Sequence, residues 1–296
     1  MRPALRFHIP HLLAGFSAIV LLPLTATAHG TFHEMMDELQ SELAARPNDP
    51  ALMIRRAFLE VEHSEWQAAL VDLEKAARLG ADEGDLVFLR GRALAAGKQW
   101  QAASAALDEF FATHPPVAVA HVERARVRLQ LKEPKAALDD YRAALKLSPK
   151  PEPELVIEVT EALAAQSLND EALMVIGKGI EVIGNVPQLV LKAMELEIAA
   201  KRFDAALTRV EAMAKMMPRA EPWMARRASV LAQAGRYDDS RAAWIALRDH
   251  LLALPNLERG SHAMSTLLQQ SNDALAALAQ VSTTPPQTSA INTSKP

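Results

Sequence analysis

The chain of 296 residues contains no cysteine, and this absence removes several kinds of chemistry at once. Without cysteine there is no disulfide framework, no thiolate metal site, no cysteine nucleophile and no lipid anchor on a cysteine. Aromatic residues are also scarce, at 5%, although half of the chain is apolar. The apolar residues are mostly alanine, leucine and valine, which suit closely packed helices better than a β-sandwich.

The chain also lacks a large excess of either charge. It has 32 lysines and arginines against 36 aspartates and glutamates, a formal net charge of −4. No long run of basic residues interrupts this balance. The composition therefore gives no indication of nucleic acid or anionic lipid as a partner.

The first 28 residues have the layout of a secretory signal peptide. Two arginines precede the apolar run "LLAGFSAIVLLPL" at 12–24, and Ala26 and Ala28 occupy the −3 and −1 positions of a cleavage site. The apolar run is short for a bilayer span, and Pro23 interrupts it. We therefore expect cleavage of residues 1–28, a periplasmic or secreted mature protein, and no membrane insertion afterwards; an uncleaved anchor is the alternative.

The rest of the chain is internally repetitive. Segments such as "KQWQAASAALDEFFATHP" (98–115) and "KRFDAALTRVEAMAKMMP" (201–218) share a small residue followed by apolar residues four and seven positions later. This small residue recurs every 34 or 35 positions, at Ala69, Ala103, Ala137, Ala172, Ala206 and Ser240. Such a period is typical of stacked helix pairs, none of which can bury its apolar face alone.

This pattern resembles the tetratricopeptide repeat (TPR) family over about residues 51–250. Small residues stand where the two helices of a family repeat cross: Ala57, Gly91, Ala125 and Ala228. Thr160 and Met194 depart from the family pattern at that place. The resemblance implies an all-α fold, a right-handed α-solenoid of about six TPR helix pairs with an N-terminal half-repeat helix and a C-terminal capping helix.

Two further helices are predicted outside the repeats. Apolar periodicity indicates a helix over 31–45, within an N-terminal segment of residues 29–50, and a capping helix within residues 251–280. Ser261 precedes the core of that second helix and could cap it. Residues 281–296 are rich in proline, threonine and serine, and we expect them to be disordered.

No motif in the sequence indicates an enzyme. The segment "GKGIEVIG" at 177–184 has three glycines and a lysine. It falls inside a predicted helix with no preceding strand, so it is not a phosphate loop, and Gly179 is expected to be a packing residue. No serine stands in a nucleophile elbow, and the carboxylates fall at solvated helix positions. We therefore expect no catalytic residues and no cofactor.

The TPR resemblance also implies a binding surface. In that family the first helix of each pair lines a concave groove, and the fifth, ninth, twelfth and thirteenth repeat positions point into it. Here these positions are largely apolar, with basic residues in the early repeats and acidic residues in the late ones. The predicted partner-binding residues are Ile54, Phe58, Phe88, Arg92, Val122, Arg126, Ile157, Glu161, Leu191 and Glu195. A protein or peptide segment would lie along these helices; alternatively, the apolar positions belong to the core or the C-terminal helix fills the groove.

A second hypothesis places a metal at the processed N-terminus. Cleavage after Ala28 would leave His29 as the first residue, with its α-amino group and imidazole able to chelate one ion. His33 follows four residues later, on the same face if the segment is helical. This resembles the histidine brace of copper proteins, and nitrogen ligands suit Cu(II). The leading hypothesis is a non-catalytic scaffold that binds a protein or peptide, and copper-type metal binding or delivery is the alternative. A third interpretation of His29 and His33 is a solvated N-terminal turn that binds no metal.

Overall fold

The structure is a computed structural model that describes the backbone of residues 28–281 and the side-chain burial of residues 32–280. The predicted signal peptide and the predicted disordered tail lie outside the described residues, apart from Ala28 and Val281 at the ends of helices, and both stay predictions. The described part consists of helices without a strand. This confirms the all-α fold class.

The chain divides into two compact units, and the boundary falls between residues 133 and 134. In the first unit each helix packs on the next one along the chain. The first helices of successive pairs also touch, α2 with α4 and α4 with α6. The helices of this unit are α1 (Ala28–Ala45), α2 (Pro50–Glu62), α3 (Trp66–Arg78), α4 (Glu83–Ala96), α5 (Trp100–Thr113) and α6 (Ala118–Gln130).

The second unit continues the same alternation of helices. Successive helices pack from α7 to α13, and the last long helix, α15, packs on α13 and also touches α12. The helices are α7 (Pro134–Leu147), α8 (Pro153–Ala165), α9 (Asn169–Ile183), α10 (Pro187–Ala199), α11 (Phe203–Met216), α12 (Glu221–Gln233), α13 (Tyr237–Ala253), α14 (Asn256–Arg259) and α15 (His262–Val281). The boundary between the units therefore lies within the third predicted repeat, between α6 and α7.

Local sequence sets where the helices begin. Proline, which has no N–H to lose, starts α2, α8 and α10. The side chain of Asp49 accepts hydrogen bonds from the backbone N–H groups of Ala51, at 3.0 Å, and Leu52, at 3.4 Å. Ser261 accepts one from Met264 at 3.4 Å, so the predicted cap of the last helix is present.

The anchoring small residues lie where the sequence pattern predicts a close helix crossing. All six have no exposed surface: Ala69, Ala103, Ala137, Ala172, Ala206 and Ser240. The hydroxyl of Ser240 donates a hydrogen bond of 2.8 Å to the carbonyl of Ala228, and this bond joins α13 to α12. Small side chains at these places let the two backbones of a pair approach.

The turn inside each pair has one recurring conformation. In the second repeat, Lys98 adopts a φ of 57°, its N–H donates to Ala95 O at 2.9 Å, and the N–H of Gln99 donates to Leu94 O at 2.9 Å. This is the Schellman arrangement, which satisfies carbonyl groups at a helix end. The positive-φ residues recur at the repeat period: Ser64, Lys98, Lys132, Ser167, Lys201 and Gly235.

Candidate binding surface on the first helices

The first helices of neighbouring pairs contact each other in both units, and we call them the inner helices. Contacts join α2 to α4, α4 to α6 and α8 to α10. In the sequence, the two helices of each of these contacts are separated by one second helix. Among the described residues, the second helices of successive pairs within a unit show no comparable contact. The predicted partner-binding residues all lie on first helices.

Two predicted groove residues are core residues instead. Phe88 and Val122 are buried, with exposed fractions of 6% and 9%. Phe88 lies 5.5 Å, ring centre to ring centre, from Phe110 of the paired helix, so its side chain points between helices. This corrects the prediction for these two positions. The other apolar candidates are half-buried: Ile54, Phe58, Ile157 and Leu191.

Arg92 links three inner helices of the first unit. Its guanidinium forms ion pairs with Glu62 of α2 and, at 3.5 Å, with Glu123 of α6. It also lies over the ring of Phe58, 5.4 Å from the centroid. Glu123 in turn pairs with Arg126 at 3.2 Å. Arg92 is therefore engaged within the unit and only partly available to a partner.

Lys192 forms a similar ion-pair network between first helices of the second unit. Its ammonium lies 2.8 Å from Glu161 of α8 and 3.1 Å from Glu195 of its own helix, α10. The hydrogen bond to Glu161 raises the pKa of Lys192. Both carboxylates remain more than half exposed. The predicted basic residue Arg92 and the predicted acidic residues Glu161 and Glu195 thus all have oppositely charged neighbours. These neighbours offset the change from basic early repeats to acidic late repeats that the fifth and ninth positions alone indicate.

An open groove of about 860 Å³ lies between α12 and α15 in the second unit. We call it the C-terminal groove. Ser229, Ala232 and Gln233 form its α12 side, and the side chains of Thr266 and Gln270 are among those on the α15 side. Ser229 and Ala232 stand at inner repeat positions of the sixth repeat. The C-terminal helix thus forms a wall of this groove and leaves it open.

The titratable groups with shifted pKa values hold helices together. Burial raises the pKa of Glu60 to about 7, and the negative charge of Asp72 adds to the effect. Asp72 itself binds Arg56 through two hydrogen bonds, of 2.5 and 2.7 Å. These groups lie between α2 and α3, and none of them lines the C-terminal groove. They indicate a packed ionic cluster and give no acid–base site.

The metal hypothesis gains no further ligand from the structure. His33 is exposed on α1, while the side chain of His29 lies outside the described residues. No group of three or more His, Cys, Asp or Glu side chains suited to a metal ion occurs among the described residues. The site at His29 and His33 stays a prediction.

Among residues 28–281, no helix has both the length and the apolarity needed to cross a membrane.

Comparison with known proteins finds structural likeness only. No protein-family model matches the chain, and no curated protein matches it. Among solved structures, it resembles YrrB, described as a TPR protein with an unusual peptide-binding site, at 18% identity over 61% of this chain and 92% of that one, with a TM-score of 0.47. It resembles the pilF protein of Pseudomonas aeruginosa at 16% identity over 70% and 90%, with a TM-score of 0.49. A TPR protein from Parabacteroides merdae is 12% identical over 83% and 94%, with a TM-score of 0.47.

The fold class is an all-α, TPR-type array of helix pairs, and the chain's own repeated pairs and turns carry that assignment. The TM-scores are below 0.5, so no binding property passes from these proteins to this one.

Sequence reasoning missed the groups that complete the charged networks. Glu123 and Lys192 stand outside the fifth and ninth positions, so the family pattern does not single them out. A signal was present, because Glu123 precedes Arg126 by three residues and Lys192 precedes Glu195 by three, a spacing that places each pair on one helix face. The C-terminal groove had no such signal, because α15 lies outside the repeat.

Proposed function

We propose that the protein is a non-catalytic scaffold that binds a protein or peptide segment along its first helices. The observation that carries this proposal is the surface shared by α8 and α10. There, half-buried Ile157 and Leu191 stand beside Lys192 and its two exposed carboxylate partners. An apolar centre with a charged rim is the usual arrangement of a protein-binding patch.

The segment that fits this surface combines apolar and charged side chains. Apolar groups would cover Ile157 and Leu191, and the partner's cations would meet the exposed oxygens of Glu161 and Glu195. An amphipathic helix or an extended strand both present such a pattern. The charged rim would mainly set orientation and association rate, while the apolar contact provides most of the affinity.

Site-specific photo-crosslinking tests this proposal. A benzophenone amino acid replaces Glu161 on α8 or, as the matched control, Met174 on α9; these residues belong to the same helix pair and are 57% and 69% exposed. Irradiation in the native cell-envelope fraction should give a discrete protein adduct from position 161 and not from position 174. Adducts confined to position 174 would place the binding surface on the second helices and contradict the proposal.

We also propose that the protein works outside the cytoplasm. The support is the N-terminal sequence, with its basic start, apolar run and Ala26–Ala28 cleavage pattern. The mass of the protein purified from the envelope should correspond to a chain that begins at His29. A full-length mass in that fraction would contradict cleavage.

A further inference from the structure

We propose that the C-terminal groove is the docking site for the chain's own residues 282–296, which follow α15. The proposal concerns a groove and a segment of one chain, and it does not depend on the proposed partner.

The surface of the groove is mainly apolar, and the polar groups on its rim are almost all uncharged. No lysine or arginine is among the described residues that line it, and Asp273 is its one carboxylate. That carboxylate already accepts a hydrogen bond of 2.8 Å from Gln269. The rim otherwise presents hydroxyl and amide groups, such as those of Ser229 and Gln270. A strongly charged ligand would find few opposite charges here, so the groove favours an uncharged segment.

The floor of the groove is apolar. Trp244 contributes to it and is otherwise buried, with 3% of its surface exposed. Ala232, Ala274 and Leu278 complete this strip. A segment that fits would therefore place a few apolar groups on the floor and direct its backbone N–H and C=O groups to the rim, where they need hydrogen-bond partners.

The segment after α15 has this composition. Residues 282–296, "STTPPQTSAINTSKP", contain no acidic residue and a single lysine, Lys295, and seven of the fifteen are serine or threonine. Pro285, Pro286 and Ile291 supply the apolar groups. Proline also lowers the conformational entropy that an extended segment loses when it docks.

The segment starts at one end of the groove and is long enough to follow it. Leu278 lines the groove near the end of α15, and its carbonyl accepts a 3.0 Å hydrogen bond from Arg241 of α13, which fixes that end. His262 lines the groove at the start of the helix. Sixteen residues of helix separate them, roughly 24 Å, which an extended chain covers in about seven residues. Fifteen residues follow Val281.

Because the segment is tethered beside the groove, its effective concentration there is on the order of millimolar. A free peptide of the same composition would need a high affinity to displace the tethered segment from the groove. Docking would also cover Ser229 and Ala232, the inner positions of the last repeat. The segment would then restrict how far along the first helices a partner can extend.

Disulfide trapping in the full chain tests the docking. The chain has no native cysteine, so two introduced ones report on a single pair of positions. One variant carries Gln270→Cys in the groove and Gln287→Cys in the segment. The control carries Asn272→Cys and Gln287→Cys; Asn272 is exposed, does not line this groove, and lies about 200° around α15 from Gln270.

At low protein concentration, the Gln270 pair should close at least about tenfold faster than the Asn272 pair under the same mild oxidant. Circular dichroism melts matching the wild type would show that both variants are folded. Equal closure rates, or faster closure of the Asn272 pair, would overturn the proposal. Disulfide-linked dimers in place of closed monomers would assign the groove to a second copy of the chain and would also overturn it. The test needs no partner, so its failure leaves the proposed scaffold function untouched.

Discussion

At the scale of single residues, the turn inside each helix pair imposes a conformation that most side chains disfavour. Five of the described repeats place a residue other than glycine at a φ between 57° and 65°. A Cβ crowds the backbone in this left-handed region, and the cost is roughly 1 kcal/mol per residue. The sixth repeat avoids the cost with Gly235. The chain therefore keeps avoidable strain at a recurring position.

Lys201→Gly should raise the free energy of unfolding by about 0.5–1 kcal/mol, because it relieves that strain at a φ of 59°. Lys178→Gly is the matched control, since Lys178 is an exposed lysine inside α9. There the same substitution should destabilise by about 1 kcal/mol. Urea unfolding of both variants gives the comparison, and a destabilising Lys201→Gly would show that the turn does not have this conformation.

Glu60 makes the first helix pair sensitive to pH. Its side chain is 7% exposed, and its pKa in the fold is about 7, mainly because of burial. Since this folded pKa lies above the ordinary value of a glutamate, the folded state binds the proton more tightly than the unfolded state. The resulting stabilisation is present at low pH and is lost as the pH rises through 7.

Between pH 5 and pH 8, this single group should lower the stability of the wild type by about 2 kcal/mol. Glu60→Gln should remove that part of the pH dependence and be more stable than the wild type at pH 8. Glu74→Gln, at a carboxyl that is 70% exposed on α3, serves as the control. If thermal melts give wild type and Glu60→Gln the same pH dependence, Glu60 is not the buried titrating group.

At the scale of elements, close approach between helices explains which glycines are structural. Two glycines lie two residues apart in α9, and their surroundings differ. A Cβ on Gly179 would come within 2.5 Å of Cγ1 of Val156 on α8, whereas a Cβ on Gly177 would have nothing within 4 Å. Packing therefore requires glycine at position 179, whereas Gly177 only weakens the helix.

Gly179→Ala should destabilise the protein by about 1–3 kcal/mol through overpacking. Gly177→Ala should stabilise it by roughly 0.5–1 kcal/mol, because alanine favours the helix. The double variant Gly179→Ala with Val156→Ala should recover part of the loss, since the clashing methyl groups are gone. Equal melting temperatures for the two single alanine variants would contradict the observed crossing of α8 and α9.

At the scale of the whole molecule, the sequence predicts local repetition better than contacts between repeats. The buried alanines and the helix pairs follow from spacings within one repeat, so Ala103 and Ala206 could be placed from the pattern alone. The burial of Phe88 depends on Phe110 and on how neighbouring pairs lean together, which the period does not specify. For the same reason, the ion pair between Glu62 and Arg92, thirty residues apart, was not predicted.

Charge along the first helices illustrates the same limit. In the sequence, the ninth repeat positions are basic in early repeats, at Arg92 and Arg126, and acidic in late ones, at Glu161 and Glu195. In the structure, Arg92 has carboxylates on both neighbouring helices, and Glu161 and Glu195 share Lys192. A partner of the proposed kind would therefore meet paired charges in each unit, and apolar contact would provide more of its affinity.

If a partner segment binds the first helices, hydrogen–deuterium exchange should register its contact there. The mature chain would be measured alone and with the segment that crosslinks to position 161. Binding should slow amide exchange in α8 and α10 and leave exchange in α9 and α11 unchanged. Protection confined to α9 and α11 would contradict the proposal, as would saturated binding that leaves α8 and α10 unprotected.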